Sequence, residues 1–257
     1  MKRTLFAVAL VITLSLSAVA EQAKKPALSQ HRAGSTAAEL KDAKESANPT
    51  VPSECSPCAF YGGDLDPSAA DAAGMSDENT LLIPGGSSTY AELDIPSGTT
   101  ITAKGLLFNI QASAAFDPMT ASYDIRTGVS EGSGGTSIAS GTTNISVSAT
   151  GRNFLGLNEY SIAVVFPPVT LTSGAYWVNV TPNCTNTLDG SCILFRQFFS
   201  NTTSRTNALH ESWQPAHEMF LNSAYFGFTW ANWCDSSLGF NTVQCGYASY
   251  GVLGGVE

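Results

Sequence analysis

Thr89-Tyr90-Ala91-Glu92-Leu93-Asp94-Ile95 is the stretch that decides the fold class. Tyr90, Glu92 and Asp94 fall on one side, Ala91, Leu93 and Ile95 on the other. That period of two belongs to a strand with one face turned to a core. Helical periodicity is nearly absent after Cys55, and short β-prone runs separated by Gly, Ser, Pro and Asn recur instead. Ile101 to Ile110, with Gly105-Leu106-Leu107-Phe108 inside it, is more apolar and reads as a central strand. Ala121 to Thr127 alternates, with Tyr123 and Ile125 on one face. Thr136 to Ala139 and Ile145 to Ala149 read as two short strands around Ser140-Gly141. Glu159 to Phe166 is a further strand, stopped by Pro167-Pro168. Tyr176 to Val180 follows the turn Thr172-Ser173-Gly174, and a last aromatic strand runs from Ala224 to Trp233. The expected fold is all-β, a single jelly-roll-like β-sandwich of antiparallel strands, whose two inner faces bury each other.

The ends of the chain set the compartment. Lys2 and Arg3 precede an apolar run from Leu5 to Leu16, and Ala18-Val19-Ala20 supplies the small residues of a cleavage site. Residues 1–20 read as a secretory signal peptide cut after Ala20. The apolar run is too short to anchor the chain, because a spanning helix needs about 20 residues. Residues 21–54 are rich in Ala, Lys, Glu and Ser without an aromatic, and read as a disordered linker with one short helix after Thr36. Residues 55–257 form the β-sandwich domain. The expected localisation is secreted or periplasmic, with no membrane insertion after signal cleavage.

Charge excludes one class of partner. The chain carries a formal net charge of −9. From Cys55 onward only Lys104, Arg126, Arg152, Arg196 and Arg205 are basic, against sixteen acids. Nucleic acid needs a basic footprint to replace phosphate counterions, so no nucleic-acid partner is expected.

Six cysteines, an even number, lie in the exported domain: Cys55, Cys58, Cys184, Cys192, Cys234 and Cys245. Oxidised pairs are expected in an exporting compartment, and sequence alone does not choose among their connectivities. Short loops favour Cys184–Cys192 and Cys234–Cys245, leaving Cys55 and Cys58 paired or each tied elsewhere. Cys55-Ser56-Pro57-Cys58 also has redox-pair spacing. No helix starts there to activate a thiolate, so a structural disulfide is the favoured reading.

The segment from Thr100 to Pro182 has a recognisable order. It comprises Ile101-Thr102-Ala103-Lys104-Gly105-Leu106-Leu107-Phe108, then Tyr123-Asp124-Ile125-Arg126-Thr127-Gly128, then Gly134-Gly135-Thr136-Ser137-Ile138-Ala139-Ser140-Gly141, then Val169-Thr170-Leu171-Thr172-Ser173-Gly174-Ala175-Tyr176-Trp177-Val178. In this it resembles the secreted bacterial β-sandwich domains known as choice-of-anchor domains, and similar exported proteins. The resemblance implies a sandwich layout and brings no catalytic residues.

Candidate sites are few. Asp64 and Asp66, followed by Asp71 and Asp77, could supply hard oxygen ligands for calcium, the one cofactor the sequence raises; a solvated acidic loop is the favoured alternative. Aromatics gather near the C-terminus. Trp213 stands among polar residues and is expected to be exposed, whereas Phe226, Phe228 and Trp230 share a parity that suits a core. Trp230 and Trp233 differ in parity, so one of them should face outward. Trp213, Trp230 and Trp233 are therefore the candidate ligand-binding set, stacking on a sugar face. His210-Glu211 and His217-Glu218 are half-motifs of a metal site that Pro215 interrupts. No nucleophile elbow is present, and no catalytic residue is assigned. The expected function is a non-catalytic cell-surface, matrix or periplasmic interaction module, with an extracellular glycan or protein as partner. A carbohydrate-binding module and a secreted hydrolase are the alternatives.

Overall fold

A computed structural model describes residues 50–65, 75–113, 116–185, 192, 196–202, 205–215, 219–233 and 247–257. Its elements are almost all strands. In chain order they are β1 (Cys58–Tyr61), β2 (Met75–Ser76), β3 (Asn79–Thr80), β4 (Ser88–Ile95), β5 (Ile101–Ala112), β6 (Thr120–Thr127), β7 (Thr136–Phe154), β8 (Leu157–Leu171), β9 (Gly174–Cys184), β10 (Gln197–Phe199), β11 (Asn201–Thr202), β12 (Met219–Ser223), β13 (Phe228–Asn232), β14 (Tyr247–Ala248) and β15 (Tyr250–Val256). A 3-10 turn at Glu211–Trp213 lies between β11 and β12.

Hydrogen bonding runs continuously through the order β1-β15-β5-β8-β7-β6-β9-β4-β12-β13. Every pairing along that path is antiparallel. Strand β7 is the fold line. Its first half, Thr136 to Asn144, pairs with β6, and its second, Ile145 to Phe154, pairs with β8. One long strand thus passes from one leaf of a curled sheet to the other, and the leaves pack on each other as the sandwich reading expects. Leu93, Phe108, Ile125, Ile162, Val178 and Tyr250 are fully buried members of the core.

Strand β4 turns Ala91, Leu93 and Ile95 into the main core as expected, but its other face is covered too, with Tyr90 and Glu92 buried and only Asp94 exposed. Strand β5 is apolar without alternation because both its faces are covered. Leu106 and Phe108 enter the main core, while Leu107 joins a second cluster with Cys55, Tyr61, Ala163 and Leu253. Val51 and Leu209 pack on that second cluster, so the packed chain begins ahead of Cys55. Cys55 can lie this close to β15 because Gly251 has no side chain: a Cβ there would meet Cys55 Sγ at 2.7 Å.

Four sequence expectations change. Ser140-Gly141 does not divide β7. Gly141 sits opposite Tyr123, whose ring occupies the space a side chain would need. Pro167-Pro168 does not end β8, but lies in a bulge opposite Lys104, where the register shifts between Ala103 and Gly105. The run Ala224 to Trp233 is not one strand, since a turn at Ala224–Gly227 joins β12 to β13. Residues 250–256, to which no strand was assigned, form β15 in the middle of one leaf, between β1 and β5.

The expected Cys184–Cys192 disulfide is in place, and Cys55 and Cys58, whose partners the sequence left open, pair with each other. All four described cysteines are thus bonded. Cys234 and Cys245 lie outside the described residues, as do residues 1–49. No helix among the described residues is long and apolar enough to cross a membrane.

Candidate functional site

Two features stand out, a polar cleft on the outer face of one leaf and an apolar loop end. The cleft, of about 400 Å³, lies under the strap formed by residues 50–54 and is floored by β7 and β8. Arg152 organises it. Its Nε donates to Glu159 Oε2 at 2.5 Å, and its Nη1 lies 3.2 Å from Asp64 Oδ1. The Tyr61 hydroxyl also donates to Asp64 Oδ1, at 2.8 Å, and Asn207 Nδ2 donates to Asp64 Oδ2, at 2.8 Å. Behind them Asn109 donates to Tyr61 Oη at 3.0 Å and to Ser249 Oγ at 2.7 Å, and accepts from Ser161 Oγ at 2.6 Å.

Burial sets the electrostatics. Glu159 is fully buried, which pushes its carboxyl up, and Arg152 and Thr150 only partly offset this. Burial works against the Arg152 charge too, but the carboxylates of Glu159 and Asp64 outweigh it and leave the guanidinium above its ordinary value. Burial, then the neighbouring Asp64 charge, raises the Tyr61 hydroxyl. Asn207 is delivered by a loop in which Arg205, Asn207 and His210 all have positive φ. Such backbone is sparsely populated outside glycine and persists only when over-determined. Here Arg205 Nη1 and Nη2 donate to the carbonyls of Glu211 and Gln214, and Asn207 bridges Asp64 to the Thr50 amide.

The loop end is built from two neighbouring turns. Leu81 and Leu82 stand 54% and 42% exposed in the turn after β3, and Tyr225 and Phe226 stand 49% and 37% exposed in the β12–β13 turn. The turns are tied together: Ser223 Oγ donates to the Gly86 carbonyl at 3.2 Å, and Asn222 pairs with Ser88 across β12 and β4. Arg196 lies over the rings of Phe198 and Phe226 at 5.0 and 5.5 Å, anchored by its Nε at 2.6 Å from the buried Glu78. The Tyr225 and Phe226 rings meet edge to face at 89°.

Comparison with protein families, with curated proteins and with solved structures found no match. What the chain does has to follow from its own geometry.

The predicted ligand-binding tryptophans do not form a platform. Trp213, expected to be exposed, is 6% exposed. The 3-10 turn at Glu211–Trp213 swings it into the main core, and its outer face is covered by His210, ring centroids 4.3 Å apart and planes 10° apart. Trp230 is half-buried between Tyr90, at 4.6 Å, and Arg126, at 5.0 Å. Trp233 is half-buried too and packs on the main core. Phe226, expected in the core, is exposed at the turn.

Among the described residues, Asp64 and Asp77, both proposed for calcium, have separate sets of partners. Asp64 is held by Tyr61, Asn207 and Arg152. Asp77 is fully buried elsewhere, its Oδ1 accepting from Thr181 Oγ1 at 2.7 Å and Asn179 Nδ2 at 3.2 Å. Burial pushes the Asp77 carboxyl up to about 8. Asp66 and Asp71 lie outside the described residues, as do His217 and Glu218. Among the described residues no three His, Cys, Asp or Glu side chains converge on a metal-sized centre.

Arg152 and Arg196 were missed as site residues, although the sequence carried a signal for both. Each is one of five bases in a strongly acidic domain, where a lone cation is expected to draw carboxylates round it.

Proposed function

We propose that this chain is an exported interaction module, without catalysis of its own, that binds a partner protein through the loop end formed by Leu81, Leu82, Tyr225 and Phe226. The observation that carries this reading is that two turns joined by the Ser223–Gly86 hydrogen bond each expose two large apolar side chains. Contiguous exposed apolar surface marks interaction sites, and aromatic residues with an arginine among them are what binding hot spots are made of. A protein suits this surface better than a glycan. Sugar faces stack on flat rings flanked by hydrogen-bonding groups, whereas here two rings stand perpendicular beside two leucines. The disulfides and the leader sequence support export.

The carboxylates of the cleft point away from hydrolysis. Asp64 accepts through both oxygens from protein donors, and Glu159 is fully buried beneath Arg152. A general acid and base need to reach a substrate within hydrogen-bond distance.

The test is co-isolation of wild type and of the Tyr225→Asp/Phe226→Asp variant from the exported fraction. A protein retained by wild type and lost with the folded variant supports the reading. The same companions with both would overturn it.

A further inference from the structure

We propose that the partner of the loop end brings a single carboxylate to Arg196, set between apolar side chains that cover Tyr225 and Phe226. This rests on the loop-end reading and names the chemistry which that reading leaves open. Its ground is how Arg196 uses its N–H groups. Nε donates to Glu78 Oε1 at 2.6 Å. Nη2 reaches Ser76 Oγ only at 3.4 Å, a long and weak contact. Nη1 has no partner among the described residues and is open to solvent. A guanidinium carries five N–H donors in a planar fork, so its outer edge is left unused.

The group is also fixed in place. Glu78 is wholly buried, its Oε1 accepting from Ser76 Oγ at 2.8 Å and its Oε2 from the Gln197 amide at 3.1 Å. The guanidinium lies over the rings of Phe198 and Phe226. Phe226 in turn meets Tyr225 edge to face. An arginine held this way loses little freedom when it binds, and its planar fork can take a carboxylate through two parallel bonds. Arg126, Arg152 and Arg205 are less exposed and are turned onto acids and carbonyls of the chain itself. Among the described arginines Arg196, 39% exposed, is the one left for an outside acid.

Charge narrows the partner. Glu78 is buried behind the guanidinium, so the side that faces outward at this corner is positive. The domain around it carries sixteen acids against five bases, which repels a polyanion such as nucleic acid at long range. One carboxylate within a segment of low net charge escapes that repulsion. The rings beside Arg196 call for apolar neighbours to that acid, because covering Tyr225 and Phe226 excludes water and strengthens the ion pair. The partner class is therefore a protein segment in which one aspartate or glutamate is flanked by large apolar residues.

The test is an NMR titration of the isotope-labelled exported chain, following the amides of Ala224, Tyr225 and Phe226. The probes are a capped pentapeptide with glutamate between phenylalanine and leucine and glycine at each end, its glutamine counterpart, sodium acetate and sodium glucuronate. The glutamate peptide should shift these amides saturably and bind about tenfold more tightly than the glutamine peptide, as one charge-assisted pair implies. Acetate and glucuronate should bind more weakly than either peptide. Arg196→Lys, whose single ammonium stays with Glu78, should bring the two peptides to within about twofold of each other. If Arg196→Lys does not fold, the ratio of the two peptides on wild type decides. The proposal is overturned by equal affinity of the two peptides, by a ratio unchanged in folded Arg196→Lys, by acetate or glucuronate binding as tightly as the glutamate peptide, or by no saturable shift at these amides. Shifts of the same amides with protein concentration alone would overturn it too, by marking a second copy as the occupant. Equal affinity leaves the loop end itself standing, since that reading falls only if co-isolation finds no protein that depends on Tyr225 and Phe226.

Discussion

Arg152 holds the carboxylate of Glu159 through its Nε at 2.5 Å, the guanidinium only partly exposed and the acid wholly buried. The two residues sit on β7 and β8, just before and after the hairpin that joins them. Removing one member of such a pair leaves a buried charge without its partner.

Arg152→Ala is therefore expected to destabilise the chain by about 3–5 kcal/mol. The paired change Arg152→Met/Glu159→Leu should cost less, because no buried charge is stranded. Urea unfolding of the two variants checks this, and a double variant less stable than the single one would contradict it.

A second prediction concerns pH. Asp77 titrates near 8 in the folded chain, against 3.8 for the free side chain. Between those values the folded state holds a proton that the unfolded state has released. The stabilisation is thus complete below pH 4 and drains away as pH rises towards 8, by up to roughly 1.4 kcal/mol for each pH unit. Buried Glu159, also raised, adds a slope of the same sign. Asp77→Asn keeps an acceptor for Thr181 and Asn179 and cannot ionise, so it should flatten the fall between pH 5 and 8. Unfolding midpoints at those two pH values would show it.

The β7–β8 hairpin turns through Leu155 and Gly156, with φ of 50° and 80°. Both central residues are left-handed, the geometry for which Asn-Gly is the favoured pair. Leu155 is 81% exposed, so its side chain gains little from the fold. Leu155→Asn should stabilise the chain by about 0.5–1 kcal/mol. A lower thermal midpoint for the variant would contradict this.

Processing and oxidation can be read from one intact mass. The exported protein should weigh what residues 21–257 weigh less six hydrogens, one for each of its six cysteines. Each bridge is worth roughly 2–4 kcal/mol through restriction of the unfolded chain. Retention of Met1, or thiols that react in denaturant without reductant, would refute it.

Legibility from sequence followed local chemistry. The alternation in Thr89 to Ile95 reports a strand directly, because alternate residues go to opposite faces: Ala91, Leu93 and Ile95 to the main core and Tyr90 to a second cluster. The last strand was hidden because Gly251, Gly254 and Gly255 have no side chains to alternate; Gly251 lets the Cys55 sulfur approach and Gly254 the Thr102 backbone. Trp213 misled for a related reason. Its polar neighbours describe the outside of a 3-10 turn whose other side is core, and His210, three residues earlier, supplies the cover. The exposed aromatic turn was obscured because the parity of Phe226, Phe228 and Trp230 survives in sequence across a turn that breaks it in space. Arg152 and Asp64 are far apart in sequence, and only the fold brings them together.

The loop end is the central claim, and a photo-crosslinking amino acid placed at Tyr225 tests it most directly. Leu155 serves as the control position, being an exposed apolar residue on the β7–β8 turn. In producing cells the label at Tyr225 should yield one dominant protein adduct that the label at Leu155 does not, and Leu82→Asp should remove it. No adduct, the same adducts from both positions, or only an adduct of twice the chain's own mass would contradict the account.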